Sequence, residues 1–470
     1  MYNSILQLAI KLIEKICERA ESGEIRDLDI MAEAVLSDCK ETSIHVMEEL
    51  IRNVNEGFRE DKETRKELGL VIKEKDRPRS LLTALGQIDF SRDYFYDKEE
   101  GHYTCILDQM LGIAKYERVS AAVSAELVSK AADRSYAKAS QDVTGGAVSR
   151  QTVHNQILKV HVPEVEPKEE KRAVKELHVY ADEDHAHMQK PGKEKGKQSR
   201  MIPLITVAEG VYQECKGRNR TINPMYFANE MFDTKELWKT TEGYIDKAYD
   251  LDQIEKIYIH GDGGQWIKNG LENITQSVHV MDGYHFKRDL RSICRILPHR
   301  NIKVTLMNAL EGNDPGKADR YIQELLDEPI TEKEQKRILG FAGYLFRFWD
   351  EIRRRLTEDI PGSCTEGQVS HVLSERFSRD PLGWSEKPLG KLVSVRVYLK
   401  DGGKLTKAAF RQGEDLQEKY SEYADRLIEE HIKGAVDFSL FDPVDPIFNG
   451  ASGTQITIHG IGMARDILIH

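Results

Sequence analysis

Two stretches, Glu176-Leu-His-Val-Tyr-Ala-Asp182 and Lys256-Ile-Tyr-Ile-His-Gly-Asp262, decide the fold. Each is a short apolar run that ends on an aspartate, which is typical of a buried strand with a carboxylate at its end. A carboxylate is costly to desolvate unless a cation lies beside it. A third acid, Glu366, opens the helix-like segment Thr365-Glu-Gly-Gln-Val-Ser-His-Val-Leu373. Three such carboxylates, brought together, would hold two divalent cations and support chemistry on phosphodiesters.

The elements around these acids predict a mixed sheet with helices on its faces. Strands are expected at 177–181, 201–211, 221–232, 257–259 and 278–281. A helix capped by Asp233 separates the third strand from the fourth, and a helix over 266–274 separates the fourth from the fifth. This order is that of a ribonuclease-H-like fold. The chain is therefore expected to be an α+β multidomain protein, with this core at 173–297 and 361–400 and a helical insertion at 298–360.

Each acid also has an ordinary structural interpretation. Asp182 suits a turn or cap, Asp262 a type I′ or II turn, and Glu366 the first turn of a helix. His185 and His187 form a His-x-His pair that suits zinc, but no further ligand cluster is evident. The glycines around Asp262 match neither the dinucleotide fingerprint nor a phosphate-binding loop. The joint order of the three acids favours the divalent-cation site.

Length and composition limit the class of protein. With 470 residues and 40% hydrophobic composition, the chain has enough apolar residues for two or three domains. Its net charge of −11 argues against a protein that simply coats nucleic acid. The six cysteines are far apart and form no Cys-x-x-Cys pair, which suits a reducing cytoplasm. No apolar run is long enough for a bilayer, and no leader pattern opens the sequence.

The part before the core contains a segment with the pattern of a DNA-binding motif. Residues 1–75 have helical periodicity, and 76–162 contain a β-hairpin (92–96 with 103–107) followed by a possible helix-turn-helix. Its helices would be 135–143 and 148–158, with Ser149 as a cap. The DNA-facing side chains would be those of Arg150, Gln151, Thr152 and Asn155. Taken alone, this segment fits an ordinary helical hairpin better. A charged, proline-containing linker is expected at 163–172.

Two basic runs follow core strands closely. The residues expected to contact DNA phosphates are Lys193, Lys195, Lys197 and Arg200 in the first run, and Lys287, Arg288, Arg291 and Arg295 in the second. The ordinary interpretation of each run is solvated surface. Beyond the core, Leu392–Leu399 is predicted to be a strand, and the C-terminal tail at 401–470 to contain a polar helix at 418–432.

The motifs resemble those of DDE transposases of bacterial insertion sequences, in particular the Lre-type family related to the Mutator-like group. The segments that carry the resemblance are Asp182-Glu-Asp-His185, His260-Gly-Asp-Gly-Gly-Gln-Trp-Ile267, Met281-Asp-Gly-Tyr-His-Phe286 and Glu366-Gly-Gln-Val-Ser-His371. The resemblance implies that Asp182, Asp262 and Glu366 bind two Mg²⁺ or Mn²⁺ ions. It implies a role for His285 at a scissile phosphate or beside a ligand.

Several features depart from the family pattern or leave it open. Asp184 competes with Asp182 as the first metal ligand, since both would share one strand face. The cysteine-rich module of some related transposases is absent. The Asp380-Pro pair leaves the end of the Glu366 helix undefined, because proline disfavours helix at the residue before it.

The resemblance implies a transposase that cleaves the ends of its element and transfers the 3′-hydroxyl ends to target DNA. Its partners would be the terminal inverted repeats, the target DNA and further copies of itself in a synaptic complex. It would act in the bacterial cytoplasm, on the nucleoid. A nuclease without strand transfer and a DNA-binding protein with an inactive core are the alternatives.

Overall fold

A computed structural model describes residues 2–23, 26–167, 170–189, 198–215, 218–361, 364–380 and 382–410. These residues form two compact units, 2–80 with 87–115, and 81–86 with 116–410. Within the described ranges, no helix is long and apolar enough to cross a membrane. The predicted helix at 418–432 lies outside the described residues.

The first unit begins with helices. They are α1 (Tyr2–Glu21), α2 (Leu28–Glu60) and α3 (Lys62–Glu67), with α4 (Ile106–Met110) further along the chain. The Asp27 carboxylate caps α2 by accepting the backbone N–H groups of Asp29 and Ile30 at 3.1 and 3.2 Å. The helical prediction for 1–75 is wrong from Leu70, where a strand begins. Gly69 adopts φ +64°, which ends the helix.

A three-stranded sheet completes the first unit. Its strands are β1 (Leu70–Thr83), β2 (Gly86–Asp97) and β3 (His102–Thr104), in the order β1-β2-β3. β2 and β3 pair antiparallel, with Tyr96 opposite Tyr103, which confirms the predicted hairpin. The prediction of a strand up to Leu107 is wrong, because β3 ends at Thr104 and α4 begins at Ile106. Phe58, Leu70, Phe95 and Ile106 form the apolar core beneath one face.

A buried ion pair joins α2 to β2. The Arg59 guanidinium donates to both carboxylate oxygens of Asp93 at 2.7 Å, and Asp93 is fully buried. Burial alone would raise the pKa of Asp93, but the guanidinium beside it holds that pKa below its ordinary value. Arg59 also pairs with Asp76, whose side chain is 61% exposed. Arg59 thus has one buried partner and one exposed partner.

Asp93→Asn is expected to destabilise the first unit by about 3 kcal/mol or more, because it leaves a guanidinium without its buried counter-charge. Asp76→Asn, the matched control, is expected to cost less than about 1 kcal/mol. Urea denaturation followed by circular dichroism measures both. All four tryptophans lie in the second unit, so tryptophan fluorescence reports that unit separately. Equal losses for the two variants would contradict the burial argument.

The second unit is built on a five-stranded mixed sheet. Its strands are β4 (Glu176–His187), β5 (Ser199–Ala208), β8 (Met225–Phe227), β9 (Lys256–Gly261) and β10 (Ser277–Met281). The spatial order is β10-β9-β4-β5-β8. β9 and β10 run parallel to β4, and β5 runs antiparallel to both of its neighbours. The predicted mixed sheet is confirmed.

Two of the predicted strand boundaries are wrong. The strand expected at 201–211 is divided, because β5 ends at Ala208 and β6 (Gly210–Cys215) then pairs with β7 (Arg218–Ile222) as a separate hairpin. Gly210 adopts φ +149°, a conformation that glycine tolerates. The strand expected at 221–232 is likewise divided between β7 and β8.

Helices cover the sheet. They are α8 (Thr234–Ala248), α9 (Gln265–Lys268), α10 (Gly270–Asn273) and α11 (Gly283–Cys294). Asp233 caps α8 as predicted, accepting the N–H groups of Lys235 and Glu236 at 2.9 and 3.3 Å. Trp238 on α8 packs with Val179 and Ile259 of the sheet, so this face is fully buried.

The predicted helical insertion is helical in the structure. It comprises α12 (Ile302–Glu311), α13 (Pro315–Leu326), α14 (Glu332–Arg347) and α15 (Trp349–Thr357). These helices share an apolar core with Phe286 and Leu290 of α11. Thr331 and Glu334 form a capping box that starts α14.

The predicted helical hairpin is also present. The helices α5 (Ala121–Ala131), α6 (Tyr136–Thr144) and α7 (Arg150–Lys159) precede the sheet, and Ser149 caps α7 through the N–H of Thr152 at 3.1 Å. Gly145 and Gly146 at φ +61° and +85° make the turn between α6 and α7. The two predicted helices, the glycine turn between them and the Ser149 cap are therefore confirmed.

The strand predicted at Leu392–Leu399 is wrong. These residues belong to α18 (Glu386–Lys400), which packs with α5 and α7 in one core cluster. Buried residues occur all round this helix, including Leu392, Val393 and Val395. A helix that is buried on every side lacks the 3.6-residue hydrophobic periodicity that would identify it. The alternation of apolar and polar residues in Leu392–Leu399 therefore gave the incorrect prediction of a strand.

Candidate active site

The strand register brings three aspartates to one edge of the sheet. Tyr180 of β4 lies opposite His260 of β9, and Met281 of β10 lies opposite Gly261. Continued along the chain, this register sets Asp182, Asp262 and Asp282 at the same level on three adjacent strands. Neighbouring strands are about 4.8 Å apart. The sheet therefore collects acids at the carboxyl ends of β9 and β10.

The sequence predicted that Asp182 lies at the end of a strand, and this prediction is wrong. β4 continues to His187 in its pairing with β5, with Asp182 opposite Leu204. Its parallel pairing with β9, however, stops at Tyr180. Asp182 thus lies where β4 no longer pairs with β9, and it is half-buried there.

The pKa of Asp182 indicates that the predicted acids interact electrostatically. Burial is the largest cause of the raised pKa, the carboxylates of Glu183, Glu366 and Asp262 add to it, and together they bring the pKa to about 7. The N–H of Glu183 donates to Asp182 Oδ1 at 2.9 Å and opposes the shift. Carboxylates that raise the pKa of a neighbouring carboxyl group favour a cation between them.

Asp262 is exposed and held by the turn after β9. Its Oδ1 accepts the N–H of Gly264 at 2.9 Å, so the turn interpretation of Asp262 is correct locally. Gly263 adopts φ +86°, and a Cβ there would lie 2.5 Å from the Phe348 ring. The second carboxylate oxygen is not engaged by this turn contact, so Asp262 can serve the turn and a ligand together.

Glu366 lies on the short helix α16 (Thr365–Val369), which packs against β4. Its Oε1 is 3.5 Å from His285 Nε2 on α11. Asp282 caps α11 through the N–H of Tyr284 at 2.9 Å and so places His285 in the first turn. The predicted histidine and the predicted glutamate therefore meet.

Asp184 makes a separate contact. Its Oδ1 accepts the Ser378 hydroxyl at 2.9 Å, while its Oδ2 is buried without a hydrogen-bond partner. Ser378 follows α17 (Glu375–Phe377), the helix after the Glu366 segment. The orphaned oxygen keeps Asp184 as a candidate ligand beside Asp182.

Among the residues that the structure describes, no three His, Cys, Asp or Glu side chains already converge on a metal position. This includes His185 and His187, so the zinc interpretation gains no third ligand there. The donors near Asp182 are carboxylates with one imidazole, a set that suits Mg²⁺ or Mn²⁺. Carboxylates repel one another until a cation lies between them, which is consistent with side chains that are near but not convergent.

Sequence reasoning missed a buried column of rings beneath the acids. His178 Nδ1 and His260 Nε2 are 3.1 Å apart, and the ring centroids of Tyr180 and His260 are 4.6 Å apart. Burial lowers the pKa of His178 to about 4 and that of His260 well below its ordinary value, so both are neutral at pH 7. A signal was present, since β4 reads His-x-Tyr-x-Asp and β9 reads Tyr-x-His-x-Asp.

Arg355 is a second feature that the sequence did not reveal. It comes from α15 of the insertion and donates to the carbonyl of Pro361 at 2.7 Å. Burial lowers its pKa, while the charge of Asp282 and the fields of Tyr180 and Cys364 oppose that shift. The insertion therefore places a cation close to Asp282.

Buried arginines anchor the segment that follows Glu366. A π-helical turn, Ser370–Ser374, continues α16. Arg396 of α18 donates to the carbonyls of His371 and Ala132 at 2.9 and 3.1 Å, and Arg376 donates to that of Ala131 at 3.0 Å. The end of α5 and the Glu366 segment are thus fixed to a common support.

The predicted DNA-contact residues differ in how the structure presents them. Arg150, Gln151, Asn155, Lys287, Arg288, Arg291 and Arg295 are exposed, and Thr152 is half-buried. Lys287, Arg291 and Arg295 repeat every four residues and share one face of α11 and its C-terminal end. Arg200 is engaged, since it pairs with Glu386 at 3.3 Å and covers the Phe232 ring. Lys193, Lys195 and Lys197 lie outside the described residues.

A model of an uncharacterised protein family, UPF0236, matches residues 24–414, and the chain belongs to that family. Two UPF0236 proteins of Caldanaerobacter subterraneus subsp. tengcongensis are similar to it. One is 33% identical over 82% of this chain and 81% of its own length, and its name joins eleven designations. The other is 32% identical over 85% and 84%, and its name joins four.

A solved structure, the Drosophila P element transposase strand transfer complex, aligns with 66% of this chain and 84% of its own at 14% identity. The TM-score is 0.19, so this likeness does not bear on fold or function.

Gly263→Ala is expected to destabilise the second unit by about 2 to 4 kcal/mol, because alanine is strained at φ +86° and its Cβ meets the Phe348 ring. Gly340→Ala on α14 is the control, since a Cβ there meets nothing within 4 Å. That helical substitution is expected to be neutral or to stabilise by up to about 1 kcal/mol. Tryptophan fluorescence in urea measures both, and a neutral Gly263→Ala would contradict the close packing of this turn.

Stability should depend on pH through Asp182. The folded pKa of about 7 lies above the unfolded value of about 3.9, so its stabilising contribution is present below pH 4 and lost as pH rises through 7. Asp182→Asn removes this loss and is expected to stabilise the metal-free protein at pH 8, on the order of 2 kcal/mol after allowance for partial exposure. Asp252→Asn, at an exposed position, should follow wild type. Identical pH profiles for wild type and Asp182→Asn would contradict the shift.

Proposed function

We propose that this UPF0236 protein is a DNA transposase that cuts the ends of an insertion sequence and joins them to target DNA. The observation that carries the proposal is the electrostatic interaction of Asp182 with Asp262 and Glu366. These three acids come from a strand, a turn and a helix that are far apart in the chain. That is the constellation which the motif resemblance implies for DDE transposases. Asp262 is exposed at the edge of the sheet, so a DNA strand could reach it.

The topology supports a ribonuclease-H-like core. Numbered within the sheet, the strands run in the order 5-4-1-2-3, with the second antiparallel to the rest. The first and fourth strands carry Asp182 and Asp262 side by side, and Glu366 arrives from a helix packed on the first strand. The helical insertion lies between the second and third acids, as the sequence predicted.

Two divalent cations, Mg²⁺ or Mn²⁺, would supply activation of an attacking oxygen and stabilisation of a leaving one. Asp182, Asp262 and Glu366 would hold them, with the free oxygen of Asp184 as a further donor. His285, 3.5 Å from Glu366, would orient that carboxylate. Hydrolysis of a phosphodiester at the element end leaves a 3′-hydroxyl, whose attack on a target phosphodiester displaces the target's own 3′ oxygen.

The exposed cations suit contacts to DNA phosphates. Lys287, Arg291 and Arg295 line α11 and its end as they lead away from His285, so a strand cut at the acids would pass along them. Arg150, Gln151 and Asn155 on α7, whose side chains are exposed, would contact bases. Arg376 and Arg396 bind carbonyls at the end of α5, which shares a core with α7, so DNA held by α7 would be positioned for Glu366.

The names of the relatives agree with a coding sequence that moves within a genome. A single protein name that joins eleven designations is what several copies of one coding sequence in a genome would produce. Transposition multiplies such copies. Joining two element ends also requires at least two active sites, so we propose a homo-oligomer bound to the bacterial nucleoid.

Asp262→Asn and Glu366→Gln are expected to reduce Mg²⁺-dependent cleavage of element-end DNA by more than about 100-fold, because loss of an outer-shell partner alone costs about 10- to 100-fold. Binding to the same DNA in EDTA should remain. Glu332→Gln, a surface glutamate whose side chain is 79% exposed, is the matched control and should cleave normally. The measurement is a denaturing gel of end-labelled DNA carrying the inverted repeats that flank the gene.

The products distinguish this proposal from its alternatives. Joined products in which element ends are linked to target DNA support a transposase. Cleavage without joining would indicate a nuclease, and binding without cleavage would indicate a DNA-binding protein with an inactive core. Wild-type cleavage by Asp262→Asn would overturn the assignment of the site.

A further inference from the structure

The sheet of the first unit has two unlike faces. Along β2, Asp93, Phe95 and Asp97 are buried on one side, and Tyr94 and Tyr96 alternate with them on the other. The buried side covers the core formed with Phe58, Leu70 and Ile106. No apolar core cluster among the described residues includes the two tyrosines, so the outer face is a surface of partly exposed rings.

Three tyrosines form a continuous platform on this outer face. The ring of Tyr103, which is 52% exposed, is stacked on that of Tyr94 at a centroid distance of 5.4 Å and an interplanar angle of 10°. It also contacts the Tyr96 ring at 5.1 Å. A stacked pair with an exposed ring at its end presents an aromatic surface of roughly the size of a nucleobase.

Cations border the platform. The Arg77 guanidinium lies 4.9 Å from the centre of the Tyr94 ring, and the Lys73 ammonium lies 5.7 Å from that of Tyr96. Arg77 has a distant ion-pair contact with Glu74 at 4.0 Å. Arg79 and Arg92 lie on the same two strands, but their side chains are only 7% and 15% exposed and share one carboxylate, that of Asp108. Lys73 and Arg77 are exposed, so they are the cations that this face offers to a ligand.

This combination has a specific chemical meaning. Aromatic rings stack on bases whatever their sequence, and neighbouring cations contact the phosphates between them. In a duplex the bases are already stacked on one another, so only an unpaired strand offers base faces to Tyr103.

We infer that Lys73, Arg77, Tyr94, Tyr96 and Tyr103 form a binding site for single-stranded nucleic acid. Stacking on the tyrosines supplies the affinity, and the two cations hold the backbone. The inference is independent of the catalytic site, because it uses residues of the first unit alone. A single strand would be held here whether or not the second unit cleaves DNA.

The test is fluorescence anisotropy of the full chain with a labelled oligothymidine of about 16 nucleotides, in EDTA so that no cleavage occurs. Wild type should bind the single strand more tightly than a duplex of the same length. Tyr103→Ala should weaken binding by about 5- to 150-fold, the range of one lost stacking contact. Tyr103→Phe keeps the ring and should bind like wild type.

Two control variants separate this face from general effects. Tyr212→Ala removes a tyrosine of similar exposure, 48%, from the second unit and should leave the affinity unchanged. Arg77→Glu should weaken binding and reduce its dependence on salt, whereas Lys336→Glu, the same change of net charge on α14, should have little effect. Circular dichroism confirms that each variant is folded.

Defined outcomes decide the inference. Unchanged oligothymidine binding by Tyr103→Ala, or equal loss in Tyr103→Phe, would overturn it. A Tyr103→Ala variant that changes the oligomeric state measured by sedimentation, but not the affinity for oligothymidine, would also overturn it and would indicate a protein interface. Repeating the titrations with oligouridine identifies the natural strand, because a Tyr103-dependent preference for either polymer supports the site and names DNA or RNA as its ligand.

Discussion

The parallel pairing of β4 with β9 and of β9 with β10 is the constraint on which the second unit depends. Hydrogen bonding between adjacent strands sets their register, and a shift of one residue would turn every side chain to the opposite face. The observed register aligns Tyr180 with His260 and Gly261 with Met281. Three aspartates, from segments far apart in the chain, thereby reach one edge of the sheet.

That arrangement opposes folding electrostatically, and the surrounding residues lessen the cost. Burial is the largest reason that the pKa of Asp182 rises, and the carboxylates of Glu183, Glu366 and Asp262 add to the shift. Arg355 places a positive charge near Asp282, and His178 and His260 remain neutral below the acids. The ring column thus fills the space beneath the site without adding charge. Such buried, partly satisfied polar groups are usual where function, rather than stability, determines the residue.

The helical insertion and the helical hairpin are connected to the site rather than appended to the sheet. Phe348 requires glycine at 263, and Arg355 reaches Asp282 from α15. From the other side, Arg396 satisfies carbonyls at the end of α5 and in the π-helical turn after Glu366. Buried guanidinium groups that bridge carbonyls in this way have strict geometry, since each donor direction is fixed. The position of Glu366 is therefore coupled to elements on both sides.

The sequence by itself predicted the mixed sheet, the cap residues Asp233 and Ser149 and the helical hairpin, and it supplied the three candidate acids, because these depend on local chemistry and periodicity. It misassigned Leu392–Leu399, since a helix buried on all sides carries no periodic signal, and Leu70–Lys75, where Gly69 ends the helix. Only the tertiary structure decided that Glu366 meets His285, that Arg355 lies near Asp282 and that three tyrosines stack on the first unit's sheet. These contacts join residues from different elements, and their geometry depends on packing that no single segment of sequence specifies.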